Sequence, residues 1–248
     1  MHLAILSDIH ANLEALQAVL GDLSKRLPEV PPRIVCLGDM VGYGADPEAV
    51  VALLRKLRAQ AVMGNHELGV VKPGCRRFFN PQAREVVAWT AAALSGESHA
   101  WLAGLPSAMS IGGCRMVHGL PPDHPTIYLH EVSDPELVRI LRLLPEECCF
   151  VGHTHRLAHL RLRAGVLVHA LLGEGSVVLE PGVRHLVNAG AVGQPRDGDP
   201  RAKYCLYDTS SQVLEVRFVP YDAGRAAEKI LAAGLPAAYA RRLLPEQA

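Results

Sequence analysis

The chain begins MHLAILSDIHANLEALQAVL, residues 1–20. The first apolar run, residues 2–7, stops at Asp8, and His10 follows two positions later. Asn12 can cap a helix whose apolar face is Leu13, Leu16, Val19, Leu20 and Leu23, spaced at the helical period. A short buried strand, a polar turn and an amphipathic helix form the repeating unit of an α/β fold.

The unit recurs downstream. After the proline-rich PEVPP, RIVCLGD (residues 33–39) reads as a second strand. Asp46-Pro47 is a helix start, a capping side chain followed by proline at the first helical position, and that helix shows Val50, Leu53, Leu54 and Leu57 on one side. AVMGN (residues 61–65) is a third brief strand, and Asn80-Pro81 repeats the cap-plus-proline device. Beyond Ala100 the texture changes. AMSIGGCRMVHG (residues 108–119) reads as two strands about Gly112-Gly113, and Asp134-Pro135 opens a helix running through Leu144. CCFVGHT, HLRLR, VLVHALL, SVVLE, HLVNAG, YCLYD and LEVRFV then read mostly as strands, before two closing helices at residues 223–234 and 238–244. The order predicts an α/β (α+β type) fold: a mixed sheet or a two-sheet sandwich flanked by helices. No linker divides the chain, so residues 1–248 are expected to form a single domain.

Bulk properties narrow the function. The 248 residues hold 25 basic and 25 acidic side chains, a balance that argues against a non-specific binder of long nucleic acids. No apolar segment reaches the roughly 18–20 residues needed to span a bilayer, and the N-terminus lacks the features of a signal peptide. Four of the six cysteines, Cys36, Cys148, Cys149 and Cys205, lie in apolar strand-like runs, and no C-x-x-C pair exists. These are expected to be packing thiols in a reducing, cytoplasmic compartment.

Five strand ends share a pattern. They close on Asp8-Ile9-His10, Gly38-Asp39, Gly64-Asn65-His66-Glu67, His118-Gly119 and Gly152-His153-Thr154-His155. In α/β folds ligands gather at the carboxyl ends of strands. Asp8, His10, Asp39, Asn65, His118, His153 and His155 offer oxygen and imidazole donors with no thiolate, a set suited to divalent manganese, iron or zinc. Seven donors are too many for one tetrahedral site but suit two ions sharing a carboxylate, the usual device for displacement at phosphorus. Each motif alone has a plainer explanation: a D-x-H turn with a bonded aspartate, or a satisfied core histidine. All five at strand ends make those explanations jointly improbable.

The set D-x-H, G-D-x-x-G, G-N-H-E, V-H-G and G-H-T-H, in this order, resembles the calcineurin-like metallophosphoesterase superfamily. The tail NAGAVGQPRDGDPRAKYCLYD (residues 188–208) is similar to its smaller prokaryotic phosphatase and phosphodiesterase-like branch. The resemblance implies a β-sandwich of two mixed sheets flanked by helices. It implies that Asp8, His10 and His155 hold one ion, that Asn65, His118 and His153 hold the other, and that Asp39 bridges them. It implies a metal-bridging hydroxide as nucleophile, with His66 facing the substrate to protonate the leaving oxygen or steady the phosphate, and Asn65 also reaching a phosphate oxygen. Manganese is the first choice of metal, with iron, zinc, nickel and magnesium as alternatives.

Arg196 has two readings of equal weight, a phosphate contact or a salt bridge in a Gly/Pro turn. Glu67 is expected to orient a ligand or His66, and Asn12 to cap its helix. Tyr43 and His124, in loops that follow ligand positions, read as ordinary exposed loop residues ahead of a role lining the substrate pocket, and PPDHPTIYLHE (residues 121–131) as a cap over that pocket. His159, His169 and His185 read as structural. The expected substrate is a small phosphorylated molecule or a phosphoprotein, with phosphatase activity ahead of a phosphodiesterase or nuclease acting on a small diester. A non-catalytic scaffold that has kept the fold is the rival from another class. Oligomeric state and substrate identity are not legible.

Overall fold

The apolar run that opens the chain becomes a strand near the middle of a sheet. The computed structural model describes residues 1–244. In chain order the elements are β1 (His2–Leu6), α1 (Leu13–Arg26), β2 (Arg33–Cys36), α2 (Pro47–Lys56), β3 (Gln60–Ala61), α3 (Asn65–Val71), α4 (Pro81–Ala93), α5 (Gly96–Ala103), β4 (Ala108–Ile111), β5 (Cys114–Val117), α6 (Asp134–Leu143), β6 (Cys148–Val151), β7 (Leu157–Arg163), β8 (Val166–Ala170), β9 (Gly175–Val178), β10 (Arg184–Ala189), β11 (Ala202–Asp208), β12 (Val213–Val219), α7 (Ala223–Ala232) and α8 (Ala237–Arg241). Single 3-10 turns occupy Pro73–Phe78 and Leu129–Glu131. Among the described residues no helix is long and apolar enough to cross a membrane.

The strands form two mixed six-stranded sheets, ordered β3-β2-β1-β11-β12-β9 and β4-β5-β6-β10-β7-β8. Strands β1, β2 and β3 run parallel in the first, and β5, β6 and β10 in the second. The β1 residues are apolar on both faces because both are covered. Leu3 and Ile5 meet Met116, Phe150, Val187 and Ala189 of the opposite sheet. Ala4 and Leu6 meet α1 and α2 through Leu16, Val19, Val50 and Leu54. On the far side α6 lays Leu137 and Leu141 against Val117, Cys149, Val151 and Leu186.

Several local expectations change. Of AVMGN only Ala61, with Gln60 before it, lies in the strand paired with β2; Val62 N makes one more bond to the Cys36 carbonyl, and the chain then leaves the sheet to start α3 at Asn65, a helix the periodicity does not announce. Helix α5 is also new, and the Ser95 side chain caps it by accepting from Ser98 N. Asn12 and Asn80 cap as expected. Asp46 stands at an N-cap without capping; its carboxylate instead accepts from Lys229 Nζ at 2.9 Å.

His159 and His185 are structural, as read. They lie on neighbouring strands, with His159 Nε2 2.9 Å from His185 Nδ1 and His185 Nε2 3.2 Å from the Glu180 carbonyl. The carbonyl fixes a proton on His185 Nε2, so its Nδ1 accepts from His159 and both rings are neutral. Burial lowers His159 to about 4 and shifts His185 the same way. The unfolded chain therefore binds more protons than the folded one below the ordinary histidine value, and stability falls as pH drops from about 6.5 toward 4. Replacing both residues by glutamine should flatten that fall by about 1–2 kcal/mol, after discounting for solvent screening. Urea midpoints measured at intervals across this range, wild type against variant, give the difference.

Candidate metal centre

Strands β1, β2 and β3 of one sheet and β5 and β6 of the other end at one place. Asp8 and His10 follow β1, Asp39 follows β2, Asn65 and His66 open α3 after β3, His118 follows β5, and His153 and His155 follow β6. Five of these residues take left-handed backbone angles: φ is 52° at Asp8, 49° at His10, 51° at Asp39, 68° at His153 and 59° at His155. Such angles cost on the order of 1 kcal/mol or more at a non-glycine residue and collect at functional sites. They fold each strand end back so that its side chain points inward. Close approach between the turns needs Gly64, where a Cβ would lie 2.2 Å from Asp39 Oδ1.

The donors form two groups joined by one carboxylate. In the first, His155 Nε2 is 3.1 Å from His10 Nε2 and 3.2 Å from Asp8 Oδ1. In the second, His118 Nε2 is 3.1 Å from both His153 Nδ1 and Asn65 Oδ1. Asp39 Oδ2 lies between them, 3.8 Å from His10 Nε2 and 3.2 Å from His118 Nε2. His66 Nε2 is 4.0 Å from the same oxygen, so geometry alone also groups His10, Asp39 and His66.

The surroundings decide which atoms face inward. His10 Nδ1 donates to the Val41 carbonyl at 3.1 Å, His118 Nδ1 to Leu37 at 2.8 Å and His155 Nδ1 to Gln194 at 2.6 Å. Each ring therefore turns Nε2 to the centre, the arrangement by which metal-binding histidines are oriented. Asp8 Oδ2 accepts from Ser7 Oγ and His153 N, leaving Oδ1 buried with no partner. Asp39 Oδ1 accepts from His66 N, leaving Oδ2 for the centre. Glu67 is wholly buried and supports the backbone: its carboxylate accepts from Asp39 N, Met40 N, Val41 N and Gly64 N at 2.7, 2.8, 3.2 and 2.9 Å. It thus holds the turn that presents Asp39, orienting an expected ligand through its backbone.

Charge follows this packing. Burial raises Asp8 to about 6. Burial alone would raise Asp39 as well, but the His118, His66 and His10 imidazoles hold it well below the carboxylate range. Burial takes His10 and His155 well below the histidine range and His153 down to about 3. Burial also opposes charge on His118, yet the Asp39 carboxylate beside it lifts it to about 9. Facing lone pairs on His10 and His155, about an orphaned Asp8 oxygen, repel one another unless a cation lies among them. Nitrogen and oxygen donors without sulfur fit divalent ions of borderline or harder character.

All seven expected ligands and His66 thus share one site. Arg196 is nearby: its guanidinium lies 6.0 Å from the Tyr43 ring centroid and 3.4 Å from Gln194 Oε1. Among the described residues Arg196 forms no salt bridge, whereas Arg201 pairs with Asp199 and Glu174. Asn12 caps α1 and also donates to the Gly193 carbonyl at 2.9 Å, tying the tail of the motif to the first turn. His124 is half-exposed beside Asp123.

Tyr43 is no ordinary exposed loop residue. Its ring lies 4.5 Å from both His10 and His66. Tyr128, within the loop expected to cap a pocket, stacks on His153 at 3.7 Å and 17°. Phe79 meets His66 edge-on at 5.0 Å. A tyrosine directly after the G-D-x-x-G turn was the available signal for Tyr43; nothing local marks Phe79.

Comparison with known proteins agrees with this geometry. Residues 1–212 match the family model of the calcineurin-like phosphoesterase superfamily domain. An uncharacterized protein of Methanocaldococcus jannaschii is 37% identical over 244 residues, covering 97% of this chain and 96% of its own length. A metallophosphoesterase from Sphaerobacter thermophilus, of known crystal structure, is 35% identical with a TM-score of 0.82, and the match covers 98% of both chains. A hypothetical protein from Pyrococcus horikoshii shares the fold at 18% identity and a TM-score of 0.79, over 99% of this chain and 98% of that one. With two mixed sheets, helices on their outer faces and Asp/His clusters at the strand ends, the chain belongs to the calcineurin-like phosphoesterase superfamily.

Proposed function

We propose that the protein is a phosphoric-ester hydrolase working with two divalent ions, manganese foremost, and that it prefers a small phosphomonoester. The observation behind this reading is the position of Asp39 Oδ2, within 3.8 Å of His10 Nε2 and 3.2 Å of His118 Nε2. Asp8, His10 and His155 would hold one ion, Asn65, His118 and His153 the other, and Asp39 both. Bound there, the pair supplies Lewis-acid polarisation of a phosphate and acidifies water for in-line attack.

The other residues act on the ester. Burial lowers His66 to about 4, so its ring is neutral before substrate arrives. A phosphate dianion beside it favours its protonated form, and it then steadies the phosphate or passes a proton to the leaving oxygen. Asn65 and Arg196 contact phosphate oxygens, Arg196 being free of carboxylate partners among the described residues. Zero net charge favours a small substrate over a long nucleic acid. The six free thiols, five of them buried, favour a reducing, cytoplasmic setting.

The test is reconstitution. Chelator-stripped protein is loaded separately with Mn, Fe, Zn, Ni or Mg, and metal content and hydrolysis of an aryl phosphate and a bis-aryl phosphate are measured. The expected result is two ions per chain with turnover, the monoester faster. Turnover with none of the metals overturns the hydrolase reading. Fewer than about one ion per chain favours a scaffold, and a faster diester favours a phosphodiesterase.

A further inference from the structure

A second cavity opens directly from the candidate centre, and its walls are unlike those of the centre itself. It encloses about 190 Å³ between the start of α3, the 3-10 turn Pro73–Phe78 and the loop that precedes Leu129. Asn65 and His153 form its inner end, where it joins the donor groups. Its sides are the rings of Tyr43, Phe79 and Tyr128. At the mouth stands Phe78, which leaves 73% of its surface in solvent and has the Arg77 guanidinium 4.7 Å above its ring.

Three of these rings are held before any ligand arrives. Tyr43 is wedged among His10, His66 and Tyr239, with centroids 4.5, 4.5 and 4.6 Å away. Tyr128 has one face on His153, and Phe79 sits against His66 and over Gly69, where a Cβ would lie 2.9 Å from the Phe79 ring. A rigid aromatic slot loses little entropy on binding a flat partner. Phe78 is the exception: its ring lies in water at the entrance, where a planar guest would cover it.

The volume is below the roughly 300–1,000 Å³ of a site for a drug-sized ligand, so the slot takes one ring system and not a peptide. It is not wholly apolar. Thr126 and Asn80 are on its rim, and since Asn80 uses Oδ1 to cap α4, its amide N–H₂ is left to donate. Aromatic walls with a polar rim match a ring that has hydrogen-bonding groups along its edge. A larger groove of about 930 Å³ lies on the other side of Tyr128; it holds Arg156 and Arg196 but is walled mostly by the aliphatic side chains of Leu129, Leu137, Leu157 and Leu160, with no stack of rings to grip a flat guest.

From this geometry we infer that the slot between Phe78, Phe79, Tyr43 and Tyr128 is a subsite for the nucleobase of a nucleoside phosphate whose phosphate lies at the metal centre. The inference rests on the hydrolase reading and narrows its substrate class. Phe78 is a specificity residue and takes no part in the chemistry.

Two measurements test it. The first compares kcat/KM for AMP with that for ribose 5-phosphate, whose leaving oxygen is the same and which lacks the base. The wild type should favour AMP, and Phe78→Ala should reduce that preference by about five-fold or more, the range of base–aromatic stacking. The second titrates adenosine, which has no phosphate, into metal-free protein and follows it by saturation-transfer NMR. Adenosine should bind, with contacts from its base, and Phe78→Ala should weaken it. Equal rates for AMP and ribose 5-phosphate with no adenosine binding, while an aryl phosphate is still hydrolysed, overturn the subsite and leave the hydrolase reading standing. Binding of phenol but not adenosine assigns the slot to an aryl alcohol and overturns the nucleobase assignment. Adenosine binding that depends on Phe78, with no hydrolysis under any metal, supports the subsite while removing the hydrolase reading.

Discussion

Asp39→Asn is expected to lower kcat/KM by at least about a thousand-fold and to leave fewer than two ions per chain. The asparagine keeps a carbonyl oxygen for His66 N, which Asp39 Oδ1 now binds at 2.9 Å, so the start of α3 stays in place. What changes is Oδ2. It becomes an N–H₂ group facing His118 Nε2 and His10 Nε2, at the position where both donor groups need negative charge. Losing several kcal/mol of charge stabilisation at roughly 1.4 kcal/mol per decade accounts for the magnitude. Metal analysis, steady-state kinetics and a melting curve on one preparation separate loss of metal from loss of fold. Two retained ions with activity within ten-fold of wild type would refute the bridging role.

Glu67→Ala should have the largest effect on stability. Its carboxylate is the acceptor for four buried backbone N–H groups in two turns, and alanine leaves all four without a partner. Each unmade buried bond costs about 1–3 kcal/mol, and partial relaxation and entering water should limit the total to about 3–6 kcal/mol. For a chain of this length that corresponds to a drop in Tm of about 10 °C or more. Activity should fall as well, since the turn presenting Asp39 loses its anchor. Glu67→Gln, which keeps one acceptor oxygen, should lie between. A loss in the alanine variant of less than about 1 kcal/mol in urea denaturation would show that the turn holds itself.

Much of this centre was legible because its signals are local. A strand that ends in a candidate ligand is marked within four residues, five times over, and in four of the five a glycine stands beside it. Asn12 and Asn80 are helix caps for the same reason, each bonded to a backbone N–H three residues on. The illegible parts depend on distance along the chain. Glu67 reads as orienting a ligand or His66, but that it does so through the backbone of Asp39, Met40 and Val41, 26–28 residues away, is not marked locally. Tyr128 and Phe79 reach the centre only because separate loops converge on it. Asp46 reads as a cap, but Lys229, 183 residues later, takes its carboxylate. Helix α3 was hidden because its seven residues include Gly69 and two β-branched valines, a composition with no helical signature.

The left-handed backbone at Asp8, His10, Asp39, His153 and His155 has a consequence for descent. Each of these positions would be occupied more comfortably by glycine, which adopts such angles without steric cost. Single left-handed residues such as Arg58 and Gln212 occur elsewhere in the chain, but five candidate ligands gathered at one site set these turns apart. A lineage released from the need for ions would be expected to drift toward glycine or asparagine at these turns, gaining stability as it lost chemistry. The five positions would then serve as a fossil record: a homologue that keeps bulky donors on a backbone that disfavours them is still under selection to use them.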